Sequence, residues 1–223
     1  KFLDALAKFE ELLGNPGAKD IKDAVLYWIA EVHFKGSAFT KAAQYYQMVT
    51  DEFPKSAYLA ASYYSLGWCF FNQLDFAAAL KYFKVVEEKF PKEPQAQDAS
   101  FKIIECLYNL KDYAGLKSKV RELLSAYSRD SAKSSYLNFY QAEADYYLNN
   151  FDEAIVEYKK AAAGSPDAKA RALSQLGISW SYLKLKKYRE AEDAFSSGDV
   201  INLEKKSIDV LLLGKAILYL ETS

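Results

Sequence analysis

A nearly constant spacing of 37 residues constrains this chain more than any other feature. One small or apolar position recurs at intervals of 37, 37, 37, 38 and 37 residues, at Ala5, Ala42, Ala79, Leu116, Ala154 and Ala191. A fixed period of roughly 20 to 50 residues is typical of a repeat array, in which each unit buries its apolar face against its neighbours. The core of such a protein grows along the chain, so a length of 223 residues does not fix a domain count.

The clearest unit runs from Ser56 to Pro91 and predicts two helices joined by a turn. Apolar and small residues recur at helical spacing on one face of each predicted helix, and Pro91 ends the second helix. These residues are Leu66, Gly67 and Phe70 on the first helix and Ala79, Phe83 and Val86 on the second. Weaker copies of the pattern lie before and after this unit. The sequence therefore predicts an all-α chain of antiparallel helix pairs.

The period divides the chain into five helix pairs flanked by two half repeats. We place the pairs at 20–54, 55–91, 92–128, 129–166 and 167–204, and the half repeats at 1–19 and 205–223. The first half repeat matches only a second helix and the last matches only a first helix, so we expect a fragment of a longer protein. Gly198 stands where Val86 stands in the clearest unit, and we expect the helix to end early or bend there.

Charge and hydropathy argue against two classes of partner. The chain carries 29 basic and 30 acidic residues, a net charge of -1, and lacks the sustained basic face that phosphate binding requires. No apolar run approaches the ~20 residues of a membrane-spanning helix. We therefore expect no nucleic acid partner and no direct membrane span.

Few residues of the sequence could take part in catalysis, ligand binding or disulfide formation. Cys69 and Cys106 occupy equivalent positions of successive repeats. Packed helices lie ~8–10 Å apart, whereas a disulfide needs Cα atoms within ~7 Å, so we expect two reduced, buried thiols. His33 is the only histidine and aligns with Phe70, which favours packing between helices over a catalytic or ligand role. With no phosphate-binding glycine loop, metal-ligand spacing or cluster of titratable groups, the sequence predicts a protein that is not an enzyme and has no cofactor.

The pattern of the clearest unit resembles the tetratricopeptide repeat. The residues that carry the resemblance are Leu66, Gly67, Phe70, Phe76, Ala79, Phe83 and Pro91. The ordinary repeat of that family has about 34 residues. The longer unit seen here, with FPKSAYLAASYYSLG as its local signature, is similar to repeats of bacterial envelope proteins, namely the Tol-Pal coordinators and the lipoproteins of outer-membrane protein assembly. The resemblance implies a right-handed superhelical solenoid.

The same resemblance implies a set of candidate groove residues, because the family binds partners with particular positions of its first helices. The ninth positions are Glu31, Trp68, Glu105, Glu143 and Trp180, and the aromatic twelfth positions are Phe34, Phe71, Tyr108 and Tyr146. Together they predict an aromatic trough with carboxylates along it, suited to a peptide that carries apolar anchors and basic residues. The fifth positions are Tyr27, Tyr64, Phe101, Phe139 and Leu176, for which we favour a packing role over exposure in the groove.

We therefore expect a non-catalytic scaffold that binds a partner protein or peptide on its concave face. The similarity to envelope repeats implies a periplasmic or outer-membrane-associated location in a bacterium. A cytoplasmic adaptor or regulator with the same fold is the alternative. The sequence leaves the partner, the pathway and the oligomeric state open.

Overall fold

The regular structure of the chain is helical. The computed structural model describes residues 2–197 and 202–222, and within these ranges it contains helices and no strand. The α-helices are α1 (Phe2–Leu13), α2 (Lys22–Lys35), α3 (Phe39–Glu52), α4 (Leu59–Asn72), α5 (Phe76–Lys89), α6 (Gln95–Asn109), α7 (Tyr113–Tyr127), α8 (Ser131–Tyr147), α9 (Phe151–Gly164), α10 (Ala168–Lys184), α11 (Tyr188–Ser197) and α12 (Lys205–Thr222). A short 3-10 helix, Pro16–Ile21, follows α1. The predicted all-α fold is confirmed.

The chain forms two compact units, Lys1–Leu110 and Lys111–Ser223. Helices α1 to α6 belong to the first unit and α7 to α12 to the second. The border between the units lies inside the predicted pair 92–128, and the division into one array of half repeats and pairs stays a prediction. The bend predicted at Gly198 lies outside the described residues. Within the described ranges, no helix has the combined length and apolarity that crossing a membrane requires.

Helices with even numbers correspond to the first helices of the predicted pairs, and we call them A helices; odd-numbered helices are B helices. Within each unit, every helix packs against the next one along the chain. Three A helices also contact the A helix that follows: α4 contacts α6, α8 contacts α10, and α10 contacts α12. The faces predicted for the clearest unit are confirmed, because Leu66, Ala79, Phe83 and Val86 are fully buried.

A left-handed backbone residue recurs in every turn from an A helix to its B helix. These residues are Ser37, Leu74, Lys111, Asn149 and Lys186, with φ between 59° and 63°. In the turn after α4, the Leu74 N–H donates to the carbonyl of Phe71 and the Asp75 N–H donates to that of Phe70. This pair of hydrogen bonds is the Schellman motif, which usually places glycine at the left-handed position. None of the five residues is glycine.

Leu74→Gly should raise the free energy of unfolding by about 0.5–1 kcal/mol, because a left-handed conformation costs an ordinary residue roughly 1–2 kcal/mol and glycine gives part of this back as chain entropy. Leu74 is 73% exposed, so little buried apolar area is lost. Urea unfolding measures the change. Asn149→Gly is the control, since asparagine tolerates this conformation and should gain little. Equal gains at both sites would contradict this account.

The histidine and the two cysteines serve packing. Cys69 and Cys106 are buried free thiols, as predicted, and burial raises the pKa of each to about 12. The partly buried ring of His33 stacks on Tyr45 with centroids 5.6 Å apart. Burial and then the nearby charge of Lys41 lower the pKa of His33. The packing role predicted for His33 thus agrees with its surroundings.

The interface between α7 and α8 in the second unit contains a buried polar network. Asp145 is 2% exposed and forms an ion pair with Lys117. Its carboxylate also accepts hydrogen bonds from the side-chain amides of Gln141 (2.9 Å) and Asn150 (3.1 Å). Three of these positions are apolar or aromatic in the next repeat, where Ile155, Ile178 and Tyr182 align with Lys117, Gln141 and Asp145. The interface between α7 and α8 therefore has charged and polar residues where the interface between α9 and α10 is apolar or aromatic.

Asp145→Ala should lower the free energy of unfolding by about 3 kcal/mol or more, because it leaves the Lys117 ammonium partly buried without its counterion. Replacing three members of the network with the residues at the equivalent positions one repeat later (Lys117→Ile, Gln141→Ile and Asp145→Tyr) should cost less than the single change, or stabilise the fold.

Thermal and urea unfolding measure these variants. The control is Asp152→Ala, which removes an exposed ion pair with Lys187 and should change stability by less than about 1 kcal/mol. A triple variant less stable than Asp145→Ala would contradict the proposed origin of the loss.

Candidate protein-binding surfaces

One compact group of predicted groove residues lies on α4 and α6 of the first unit. The Trp68 and Phe71 rings meet edge to face with centroids 5.6 Å apart. The Lys102 ammonium lies 4.6 Å from the centroid of the Trp68 ring and 2.8 Å from the Glu105 carboxylate. We call Trp68, Phe71, Lys102 and Glu105 the Trp68 cluster. The structure thus brings three predicted residues together through a lysine that the sequence analysis did not single out.

The cluster is partly buried and held by its own contacts. The Lys102 and Glu105 side chains are only 16% and 22% exposed, so their attraction is less screened than that of a fully exposed pair. Lys102 also lies over the Phe71 ring, at 5.4 Å. Cation–π contacts of this kind contribute about 0.5–2 kcal/mol. The ring of Trp68 is therefore fixed in place, with the aromatic rings of Tyr64 and Phe71 on its own helix and a cation from the next A helix.

The fifth-position aromatics pack inside their repeats. Their rings lie 5.7–5.9 Å from a buried aromatic ring of the neighbouring B helix, in the pairs Tyr27 with Tyr46, Tyr64 with Phe83, and Phe139 with Tyr158. Tyr64 also donates its hydroxyl to Asp98 of α6, and burial raises the pKa of Tyr64 to about 12. These contacts agree with the packing role predicted for the fifth row.

Four of the five ninth-position residues contact the same buried B-helix rings; the exception is Glu105, whose B helix has Val120 at that position. Where that ring is tyrosine, the ninth residue is glutamate and accepts the tyrosine hydroxyl, as Glu31 does from Tyr46 (2.5 Å) and Glu143 does from Tyr158. Where the ring is phenylalanine, the ninth residue is tryptophan and meets it edge to face, in the pairs Trp68 with Phe83 (6.3 Å) and Trp180 with Phe195 (6.2 Å). The carboxylates of Glu31 and Glu143 are thus already used within their own repeats.

The twelfth-position aromatics pack against the start of the following B helix. The rings of Phe34, Phe71 and Tyr146 lie 5.3–5.5 Å from those of Phe39, Phe76 and Phe151. Burial raises the pKa of Tyr146 to about 12. Tyr108 occupies the same position on α6 and is partly buried. The three ring contacts of this row therefore stabilise the turn between the two helices.

Trp180 is more enclosed than expected for an open groove position. A Cβ atom built on Gly214 of α12 would lie 3.2 Å from the Trp180 ring, so the indole packs against the backbone of that helix. The indole N–H is buried and has no hydrogen-bond partner in the part of the chain that the structure describes. Trp68 is therefore the better anchor of the two. Trp28, which the repeat pattern did not indicate as a groove residue, lies on α2 and is 43% exposed.

The described residues offer no metal site of protein ligands. Nowhere within 2–197 and 202–222 do three histidine, cysteine, aspartate or glutamate side chains come close enough to hold an ion.

Comparison with known families identifies the fold. A model of the tetratricopeptide repeat matches residues 24–56 and 61–93, which include α2 to α5. The chain contains tetratricopeptide repeats. The predicted resemblance is thereby confirmed, and the tetratricopeptide fold supports a role in protein–protein interaction. A comparison with curated proteins found no match.

Solved structures of other tetratricopeptide proteins share the fold. YrrB, described as a protein with an unusual peptide-binding site, is 12% identical with a TM-score of 0.69, covering 93% of this chain and 97% of YrrB. PilW, described as a type IV pilus biogenesis factor, is 15% identical with a TM-score of 0.63 and coverage of 94% and 90%. MamA of RS-1 is 13% identical with a TM-score of 0.65 and coverage of 84% and 93%. At these identities the likeness concerns the fold.

The alternation of ninth-position and B-helix residues predicts energetic coupling within a tetratricopeptide repeat. Trp68→Glu and Phe83→Tyr should each destabilise the protein, because one loses an aromatic contact and the other buries a hydroxyl without its acceptor. The double variant recreates the pair formed by Glu31 and Tyr46. Its loss of stability should be smaller than the sum of the single losses by about 1–2 kcal/mol.

Urea unfolding of the four proteins measures the coupling. The control combines Trp68→Glu with Tyr82→Phe on the same B helix, since the Tyr82 ring stacks on Phe70 and its hydroxyl donates to Gln47. That pair should be additive within about 0.5 kcal/mol. Equal additivity of the test pair would show that the alternation has no energetic basis.

Proposed function

We propose that this tetratricopeptide protein is a non-catalytic scaffold that binds a segment of a partner protein on the Trp68 cluster. The observation that carries the proposal is the fixed indole of Trp68. It is supported from behind by Phe83, which is fully buried, and held from the side by Lys102. Tryptophan is among the residues that contribute most to binding energy at interfaces, and a side chain already fixed loses little entropy on binding.

The charges around the cluster favour a basic segment. Asp98 and Glu105 contribute two negative charges and Lys102 contributes one positive charge, which leaves a local net charge of -1. A partner with an apolar anchor and a neighbouring lysine or arginine would complement this surface. Such complementarity mainly raises the association rate and the specificity. The partner class is thus an extended or helical peptide with apolar and basic residues.

We further propose that the protein acts in a bacterial cell envelope. The support is the long repeat with its pre-proline aromatic signature, as in Phe53 and Phe90, which is similar to the repeats of envelope proteins. A cytoplasmic adaptor of the same fold is the competing assignment. Separated periplasmic and cytoplasmic fractions distinguish the two.

The test is a quantitative pull-down from these two fractions of the native organism, with the wild-type chain beside Trp68→Ala and Lys102→Glu. Lys102→Glu reverses a charge without removing core volume, and circular dichroism verifies the fold of each variant. Met48→Ala is the control, because Met48 is 43% exposed but lies on a B helix.

We expect one partner to be recovered from the periplasmic fraction by the wild type and by Met48→Ala. Its recovery should fall at least about tenfold with Trp68→Ala, equivalent to about 1.4 kcal/mol of binding free energy. Equal recovery by all four proteins would disprove a role for the cluster. Recovery from the cytoplasmic fraction alone would assign the protein to the cytoplasm.

A further inference from the structure

Helix α12 has an apolar face that its own unit leaves exposed. One side of the helix packs against α10 and α11, where Leu211 and Leu218 belong to a core cluster with Phe195. The other side carries four large apolar residues, each of which is more than half exposed: Leu212, Leu213, Tyr219 and Leu220. Contiguous apolar surface of this kind commonly marks a site of protein–protein interaction.

In other repeats, a B helix covers the equivalent residues. Three of the exposed residues lie 37 residues after their equivalents on α10: Leu213 after Leu176, Tyr219 after Tyr182 and Leu220 after Leu183. On α4, the same three positions hold Tyr64, Phe70 and Phe71, whose rings lie 5.3–5.9 Å from rings of α5. Within residues 2–197 and 202–222, no helix takes the corresponding place on α12.

Helix α1 has the residue pattern of a B helix but not the burial of one. Ala5, Phe9 and Leu12 lie 37 residues before three fully buried residues of α3, namely Ala42, Tyr46 and Val49. In α1, Ala5 and Phe9 are only partly buried and Leu12 is 37% exposed. Helix α1 packs against α2, which has the place of the next A helix. The side of α1 that would contact the A helix of its own pair is therefore open.

A small residue on α12 leaves room for the ring of α1. In the first pair, the buried ring of Tyr46 on α3 shares a core cluster with Ala30, in the eighth position of α2. The corresponding pair on α8 and α9 has the same two residue types. Ala216 has the eighth position of α12 and is exposed, and Phe9 has the ring position of α1. The two helices thus supply the two members of the same contact.

The charges of these helices favour a contact between α1 and α12 over a contact between two identical helices. Helix α1 carries three acidic residues and one basic residue, a net charge of -2, whereas α12 carries three basic and two acidic residues, a net charge of +1. Like charges oppose the pairing of α1 with α1 or of α12 with α12. Opposite charges favour the mixed pair and raise its rate of association.

We propose that α1 of one copy of this protein packs onto the exposed face of α12 of a second copy. The two helices form a pair like those within the chain, with Phe9 of one copy beside Ala216 of the other. The contact is heterologous, because it uses a different surface on each copy, so it repeats along a line of copies or closes into a ring. It does not involve the Trp68 cluster and therefore goes beyond the proposed function.

Two substitutions block the two surfaces separately. Leu12→Lys places a charge on the open side of α1, and Leu213→Lys places one on the exposed face of α12. Both positions are exposed within one copy, so circular dichroism should show an unchanged fold. Val156→Lys is the matched control, since Val156 is an exposed apolar residue of α9, outside both surfaces. If either test variant loses helicity, Leu12→Gln or Tyr219→Lys replaces it.

Sedimentation velocity measures the association of the whole chain at concentrations from about 1 to 100 μM. The wild type and Val156→Lys should associate increasingly as the concentration rises. Leu12→Lys and Leu213→Lys should each weaken association at least about tenfold. An equimolar mixture of these two variants should form a one-to-one dimer with the affinity of the wild-type contact, because the mixture contains one intact α12 face and one intact α1 face.

A wild type that remains monomeric throughout this range would overturn the proposal. Association that both lysine variants retain would overturn it as well, because the contact would then lie elsewhere on the surface. Loss of association in both variants without recovery in their mixture would show that α1 and α12 do not contact each other. Trp68→Ala should associate as the wild type does, so failure of this proposal and failure of the proposed function are distinguishable.

Discussion

The structure depends on one buried aromatic ring in the B helix of four repeats. These rings are Tyr46, Phe83, Tyr158 and Phe195, and each is at most 1% exposed. The close approach of helices around them requires very small neighbours. A Cβ atom on Gly67, for example, would lie 2.6 Å from the Phe83 ring. Burying such a side chain contributes about 1.5–3 kcal/mol to the free energy of unfolding. Fifth-position and ninth-position residues pack against the same ring. Core packing and the candidate binding surface therefore share the same contacts.

The sequence was sufficient to predict the helices because period, small residues and proline all indicate the same elements. The buried faces of α4 and α5, the free thiols and the packed His33 followed from alignment of equivalent positions. The candidate surface was harder to predict. A position within the repeat indicates which helix face a residue lies on, but it does not give the contacts of that side chain. Lys102 shows the difference. It follows the fifth-position residue Phe101 and is not one of the predicted groove residues, and only the distance to Trp68 shows that it belongs to the surface.

At two places in the second unit, polar residues occupy positions that are apolar or aromatic in other repeats. At Lys117, Gln141 and Asp145, polar residues stand where the next repeat has an apolar or aromatic core. At Ser165, a hydroxyl stands where the earlier repeats have a ring. A buried ion pair is weak support for stability, and the loss of a ring forfeits packing contacts. Both groups of residues lie in the second unit, and neither is the choice that apolar packing alone would favour.

Four of the five ninth-position residues contact the buried ring of their own B helix, and this pairing bears on how such a surface evolves. The pair Glu31 and Tyr46 differs from the pair Trp68 and Phe83 at both positions, which lie 15 residues apart in each repeat. A single nucleotide change cannot supply both halves. Duplication or recombination of an entire repeat transfers both residues at once. The helix pair is therefore the smallest segment of this chain that carries both members of such a contact.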